Sequence, residues 1–398
     1  MSQDTPDPFR PAMLGPVQLR NRIIKAATFE GRTPDALVTD ELIDFHRGVA
    51  EGGAALTTVA YCAVAPEGRT DRHQIWMRPD ALPGLQRLTD AVHTAGGAVS
   101  AQLGHAGPVA NAASNRVPAL APGRQFNPLG MRITRAATEA DLRRVIDAHA
   151  TAARLAVQAG FDAVELHFGH NYLISSFLSP LLNKRSDGYG GSLENRARLA
   201  RQTADAVRRE VGDSIAVLAK FNMDDGVRGG FRGEESLAVA RWLAEDGNLD
   251  ALELTVGSSL LNPMYLFRGD VPLREFAAQF PPLQRLGIRM IGRKFLRTYP
   301  YHDAYLLEDA LRFRAELDMP LILLGGIASR AAIDTAMMNG FEFVAMARAL
   351  LYDPQLINQL TADAVRTSPC THCNLCMPTI YERTRCVLTS PDTAAAVR

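Results

Sequence analysis

The chain has 398 residues, 47% of them hydrophobic, with 43 basic and 43 acidic side chains. A chain of this length buries about three quarters of its unfolded surface, and its balanced charge supplies no field that would draw it to nucleic acid or to an anionic membrane. No apolar run reaches the roughly eighteen residues of a membrane span and MSQDTPDPFR shows no leader pattern, so a soluble cytoplasmic protein with a small-molecule partner is expected.

Along the chain, short apolar or β-branched runs alternate with segments of helical periodicity. The predicted strands are IIKAATF from Ile23, ALTTVAY from Ala55, AVSAQLGH from Ala98, AVELHF from Ala163, AVLAKFN from Ala216, ALELTVG from Ala251, LILLGG from Leu321 and FVAMAR from Phe343. Most are apolar on both faces, as parallel strands covered by helices are. Helices read at Thr138 to Ala159, Ser192 to Val211 and Gly233 to Glu245, the first opened by a capping-box-like Thr138 and Asp141. Eight such units point to an α/β chain folded as a (β/α)8 TIM barrel, with an open doubly wound sheet as the competitor. His105, His167, Asn222, Thr255, Ser258, Gly325, Gly326 and Arg348 stand at or just past strand ends, and in a barrel those ends converge on one mouth. Two connections are long. Gly104 to Arg135 is expected to lie over the mouth, and Ser258 to Pro320, between strands six and seven, to form a lid or substrate wall. The expected division is a barrel over residues 1–364, with 258–320 inserted, and a cysteine-rich tail over 365–398 packed on it.

VELHFGHNYL, from Val164, places His167, His170 and Tyr172 just past the fourth strand. A helical turn there would point both imidazoles one way. Each neutral imidazole donates one N–H, so two of them can hold one carbonyl oxygen and stabilise negative charge developing on it. A tyrosine, with an ordinary pKa of about 10, keeps its proton at neutral pH and suits a general acid acting on a carbanion-like carbon. Zinc on the two histidines is the other reading, although the segment carries no third ligand. A lone histidine more often has a structural, hydrogen-bonded part, but three polar groups past one strand end favour chemistry. The glycine pair of LILLGGIASR follows a strand and precedes a helix opening at Ser329, which suits a phosphate, and Arg348 can add a charge-assisted contact. Gln102 and Lys220 interrupt apolar strands and need polar partners. A flat heterocycle would serve both; so would a buried salt bridge for Lys220 and a backbone hydrogen bond for Gln102.

The segments NRIIKAATFEGR, AQLGHAG, VELHFGHNYLISSFLSPLLNKRSDGYGGSLENR, LLGGI and MARALLYDP resemble the Old Yellow Enzyme family of FMN-dependent barrel oxidoreductases, from Phe9 to the region of Pro354. The resemblance implies FMN across the barrel mouth, surrounded by Ala26, Ala27, Thr28, Ala60, Gln102, His167, Lys220, Gly325, Gly326, Ala347 and Arg348, with its phosphate at strands seven and eight. It further implies that NADH or NADPH reduces the flavin, and that the second substrate is an enone or enal, held at its carbonyl by His167 and His170 and protonated by Tyr172. Many relatives carry Arg where this chain has Lys220, and Thr or Cys where Phe29 stands beside Thr28. The oligomeric state is left open, a homo-oligomer included.

The tail SPCTHCNLCMPTIYERTRC spaces Cys370, Cys373, Cys376 and Cys386 as C-x2-C-x2-C-x9-C, a density of thiols that points to a shared metal rather than to a disulfide framework. Larger family members similar to 2,4-dienoyl-CoA reductase and trimethylamine dehydrogenase bind a 4Fe-4S cluster with a comparable tail. An iron–sulfur cluster, zinc and free thiols therefore stand as alternatives, with His372 as a spare ligand. Those members continue into nucleotide-binding domains, whereas twelve residues follow Cys386 here, so such domains are not expected. Two other functions fit the same residues: a dehydrogenase or demethylase passing electrons through the cysteines, and a non-catalytic barrel sensing metal or redox state.

Overall fold

In the computed structural model, which describes residues 5–127 and 131–389, eight parallel strands close into a ring in chain order. They are β1 (Ile23–Phe29), β2 (Leu56–Ala63), β3 (Ala98–Gly104), β4 (Ala163–Phe168), β5 (Ala216–Asp224), β6 (Ala251–Val256), β7 (Leu321–Leu323) and β8 (Phe343–Met346). Pairing of β8 with β1, Val344 opposite Ile23, shuts the ring and decides against the open sheet. The last two strands are shorter than their apolar runs. Gly325 and Gly326 take positive φ just past β7, and Arg348 already opens a short helix past β8.

The helices that alternate with the eight strands are α1 (Asp40–Glu51), α2 (Leu82–Thr94), α3 (Glu139–Gln158), α4 (Leu193–Val211), α5 (Glu234–Glu245), α6 (Leu307–Glu316) and α7 (Arg330–Met338), and shorter ones follow β4 and β8. α3 opens in a full capping box, Thr138 and Asp141 each accepting the other's backbone N–H. Alternate strand side chains fall into two separate clusters. Val99, Val164, Val217, Leu252 and Val344 pack outward against the helices. Ile24, Ala163, Ala216, Ala251 and Phe343 point inward, where Leu14 and Leu19 join them from a small hairpin, Ala12–Leu14 with Val17–Leu19. That hairpin plugs one end of the ring, so the open mouth lies at the C-terminal strand ends.

After β6 the chain inserts short helices over Met264–Phe267, Leu273–Ala278 and Pro282–Phe295, which share an apolar cluster of Met264, Phe276 and Leu296 with Met377 of the tail. Within the same connection, α6 follows at Leu307–Glu316. The connection from Gly104 to Arg135 pairs Leu120–Ala121 with Arg135–Ala136 and contributes Val109 and Asn111 to the mouth. The tail runs across the mouth: Ser368 N–H donates to the Ala328 carbonyl (2.7 Å) beyond β7, and Thr384 N–H to the Glu30 carbonyl (2.9 Å) beyond β1. The expected tail continues to 398, and residues 390–398 of it lie outside the described residues. Among the described residues no helix is long and apolar enough to cross a membrane.

Candidate active site

The chain leaves β4 through a turn that is not helical: His170 and Asn171 both adopt φ of 57°, in the left-handed region. Side chains hold it there. Asn222 Oδ1 accepts the His170 N–H (3.3 Å), and Asn171 Nδ2 donates to Asp225 Oδ1 (3.1 Å). Tyr172 then caps a short helix, Leu173–Leu178. The two imidazoles meet all the same, His170 Nδ1 lying 3.4 Å from His167 Nε2. His167 Nδ1 accepts the Gly169 N–H (3.2 Å), which leaves the proton on Nε2. His170 Nε2 lies 3.0 Å from Thr255 Oγ1, and with that hydroxyl donating, His170 carries its own proton on Nδ1. In that tautomer an oxygen lying between the two nitrogens meets two N–H groups; in the other, His170 Nδ1 accepts from His167 Nε2 and His170 Nε2 donates to Thr255.

Both rings are neutral. Burial, with Lys220 adding, pushes His170 down to about 3; burial, then His170 and Lys220, hold His167 well below the usual histidine range. Tyr172 stacks on His167 with ring centroids 4.2 Å apart, and Tyr61 meets its edge at 5.5 Å. Among the described residues no set of three or more His, Cys, Asp or Glu side chains is disposed to hold a metal. That counts against zinc on the two histidines and gives no ready cluster site in the tail, although the four thiols are near enough to perturb one another.

Below the histidines the inward layer is polar on one side of the ring. Lys220 Nζ contacts Glu253 Oε1 and lies 3.4 Å from Glu165 Oε1, while Gln102 Nε2 donates to Glu165 Oε1 at 2.6 Å. The buried salt bridge expected as one alternative for Lys220 is present; Gln102 finds a carboxylate rather than backbone. Burial alone would strip the proton from Lys220, but the two carboxylates outweigh it and its pKa rises. Burial pushes Glu253 up to about 8, with Glu165 adding and Lys220 opposing. Glu165 and Glu253 were missed by the sequence reading, although both are acids inside strand runs.

The mouth encloses a cavity of about 870 Å³. His167, His170 and Tyr172 line it, as do Ala26, Ala27, Thr28, Ala60, Gln102, Lys220, Gly325, Gly326, Ala347 and Arg348. His105 does not. It is buried, its Nδ1 accepts the Gly107 N–H, and its carbonyl accepts the Leu173 N–H, all structural tasks. Of the cysteines, Cys376 reaches the cavity wall beside His372, its thiol pushed up to about 12 by burial, with Arg348 opposing and the other cysteines adding. This wall suits FMN. The small side chains of Ala26, Ala27, Ala60 and Ala347 leave room for a flat ring, Gln102 and Lys220 offer polar groups to it, and Arg348 stands by the glycine turn where a phosphate needs charge.

Residues 7–256 match the NADH:flavin oxidoreductase / NADH oxidase family, and a 4,4'-dithiodibutanoate disulfide reductase of Rhodococcus erythropolis is 56% identical over 384 residues, 96% of this chain and 95% of its own. The chain belongs to that family. It is an NADH:flavin oxidoreductase of Old Yellow Enzyme type, an enzyme working with FMN and NAD(P)H, which closes the reading as a non-catalytic barrel. A multifunctional alkene reductase/demethylase of Caballeronia cordobensis is 29% identical over 384 residues, covering 94% of this oxidoreductase and 52% of itself. This oxidoreductase thus spans about half of that relative. Among solved structures, 2-naphthoyl-CoA reductase with 2-naphthoyl-CoA superposes with a TM-score of 0.82 at 24% identity, over 98% of this chain and 57% of that one, and shows the shared fold.

Proposed function

We propose that this oxidoreductase reduces the carbon–carbon double bond of an α,β-unsaturated carbonyl compound, an enone or enal, at the expense of NADH or NADPH. The convergence of His167 Nε2 and His170 Nδ1 beside the stacked Tyr172 ring carries this reading. When bound, FMN supplies the hydride chemistry. Ala26, Ala27, Thr28, Ala60, Gln102 and Lys220 would hold its ring, and Gly325, Gly326, Ala347 and Arg348 its phosphate. A carbonyl oxygen between the two nitrogens accepts both N–H groups, and negative charge developing on it is stabilised. Because both imidazoles are neutral, they polarise the carbonyl without protonating it. Tyr172 delivers the proton to the α-carbon, so that one hydride and one proton saturate the double bond. The tail belongs to this proposal as a wall of the site, on a barrel over residues 1–364.

Tyr172→Phe tests it. Turnover of 2-cyclohexenone is expected to fall about a hundredfold to ten-thousandfold, with flavin reduction by NAD(P)H retained. Turnover at the parental rate would remove Tyr172 as the acid.

A second reading, reduction of an organic disulfide, is favoured by the Rhodococcus relative, which matches along nearly its whole length. Hydride addition to one sulfur breaks the S–S bond and releases the other as thiolate. With a thiol pKa of about 8.5, that leaving group needs no acid. The same variant therefore separates the readings when 4,4'-dithiodibutanoate and 2-cyclohexenone are assayed side by side: an enone enzyme loses its main activity, and a disulfide enzyme keeps it.

A further inference from the structure

The tail carrying the four cysteines has no part in the chemistry above, yet it grips the most polar corner of the cavity. Arg348 Nη1 donates to two acceptors, Asn374 Oδ1 and the Arg268 carbonyl, the latter at 2.9 Å. Asn374 lies between Cys373 and Cys376, is 1% exposed, and adopts φ of 56°. Its amide donates in turn to the carbonyls of Arg268 (3.2 Å) and Asp270 (2.9 Å). One tail side chain thus ties the arginine to the inserted segment. The neighbours hold the same joint: His372 stacks on Tyr301 with centroids 3.3 Å apart, its carbonyl accepts the Asp270 N–H (3.1 Å), and the Arg348 guanidinium lies over the Tyr301 ring.

A long arginine side chain loses rotamer freedom when it binds a phosphate, and that loss weakens binding unless the guanidinium is held beforehand. Acceptors on one side of the fork fix the plane and leave other N–H groups for a ligand. The tail also blocks the way out. It is anchored at Ser368 and Thr384, Arg32 Nη2 donates to the Thr384 carbonyl at 2.9 Å, and His372, Cys376, Met377 and Ile380 line the cavity between the anchors.

We propose that Asn374 is a positioning residue for Arg348, and that the tail from Thr367 to Thr384 is a latch retaining FMN through its phosphate. The latch rests on the reading of Arg348 as a phosphate ligand. Riboflavin, which lacks the phosphate, separates the two claims. Dissociation constants for FMN and riboflavin are measured by flavin fluorescence on the full chain stripped of flavin, for the parent, Arg348→Ala, Asn374→Ala and the double variant. Arg348→Ala is expected to lower the preference for FMN over riboflavin about tenfold or more, the worth of a charge-assisted hydrogen bond, and Asn374→Ala to lower it in the same direction with riboflavin binding unchanged. The double variant is expected to match Arg348→Ala, because two residues acting through one contact do not add.

An unchanged preference in Arg348→Ala would overturn the phosphate reading and the latch with it. A collapse in Arg348→Ala with none in Asn374→Ala, or equal weakening of both flavins in Asn374→Ala, would overturn the latch alone. The parent chain gives a check that needs no variant to fold. If the tail retains FMN, FMN must by linkage hold the tail closed. Trypsin cleavage after Arg383 and Arg385 is expected to be slowed by FMN more than by riboflavin at saturation, and equal protection would overturn the latch.

Discussion

Lys220 shows how a charge survives inside a barrel. It is 3% exposed, and its Nζ lies between two carboxyl groups that are themselves buried. Lys220→Met removes the cation that both carboxyl groups face and leaves Glu165 and Glu253 buried without it, so unfolding in urea is expected to lose about 3 kcal/mol or more, read as a lower midpoint at constant slope. A parental midpoint would show that the carboxyls relax by other means. Such a polar layer is half-legible in a sequence. The lysine and the glutamine announce themselves by interrupting apolar runs. Their partners depend on which residues stand opposite in neighbouring strands, and only the register supplies that: Glu165 opposite Gln102, Glu253 opposite Lys220.

The loop beyond β3 and the turn beyond β4 work as one device. Gly107 has φ of +56°, and a Cβ there would stand 2.5 Å from Leu173 Cα and 2.7 Å from its nitrogen, while the His105 carbonyl holds the Leu173 N–H. Gly107→Ala therefore shifts Leu173, and with it Tyr172 just before it, from their places. Enone turnover is expected to fall about a hundredfold, the cost of an ångström's misplacement, while the flavin is still reduced by NAD(P)H in stopped flow. Equal loss in both half-reactions would mean general damage instead. The motif around His105 was visible in the sequence, but spacing could not say on which side of the turn its imidazole falls. The same limit applies to the turn after Phe168, which brings His167 and His170 together through left-handed backbone rather than through a helix.

His46, His105, His149, His167 and His170 are all held below their ordinary pKa, with burial the leading cause in each. Unfolding frees them to bind protons, so each contributes stability that is whole above pH 6.5 and is lost as the pH falls toward its folded value. His372, lowered to about 4 by burial, acts with them, while Glu30, Asp224, Asp225, Glu253 and Asp309, raised by burial, act in the opposite direction. Denaturant midpoints are expected to fall between pH 6.5 and 5, each histidine adding up to about 1.4 kcal/mol per pH unit; a flat profile would mean that the imidazoles are solvated. The barrel itself was readable because most of its strands are apolar on both faces. The plug, Ala12–Leu14 with Val17–Leu19, was not, since three-residue strands are too short to show a period.

The strap across the mouth has a consequence for biogenesis. Every strand of the ring precedes residue 347, whereas the segment that walls the cavity begins near residue 366 and is stitched back to residues 29–32. On the ribosome the ring can therefore be complete while its mouth still gapes, and a flavin meeting the nascent chain finds a seat without a back. Secure loading awaits emergence of the segment from Thr367 to Thr384.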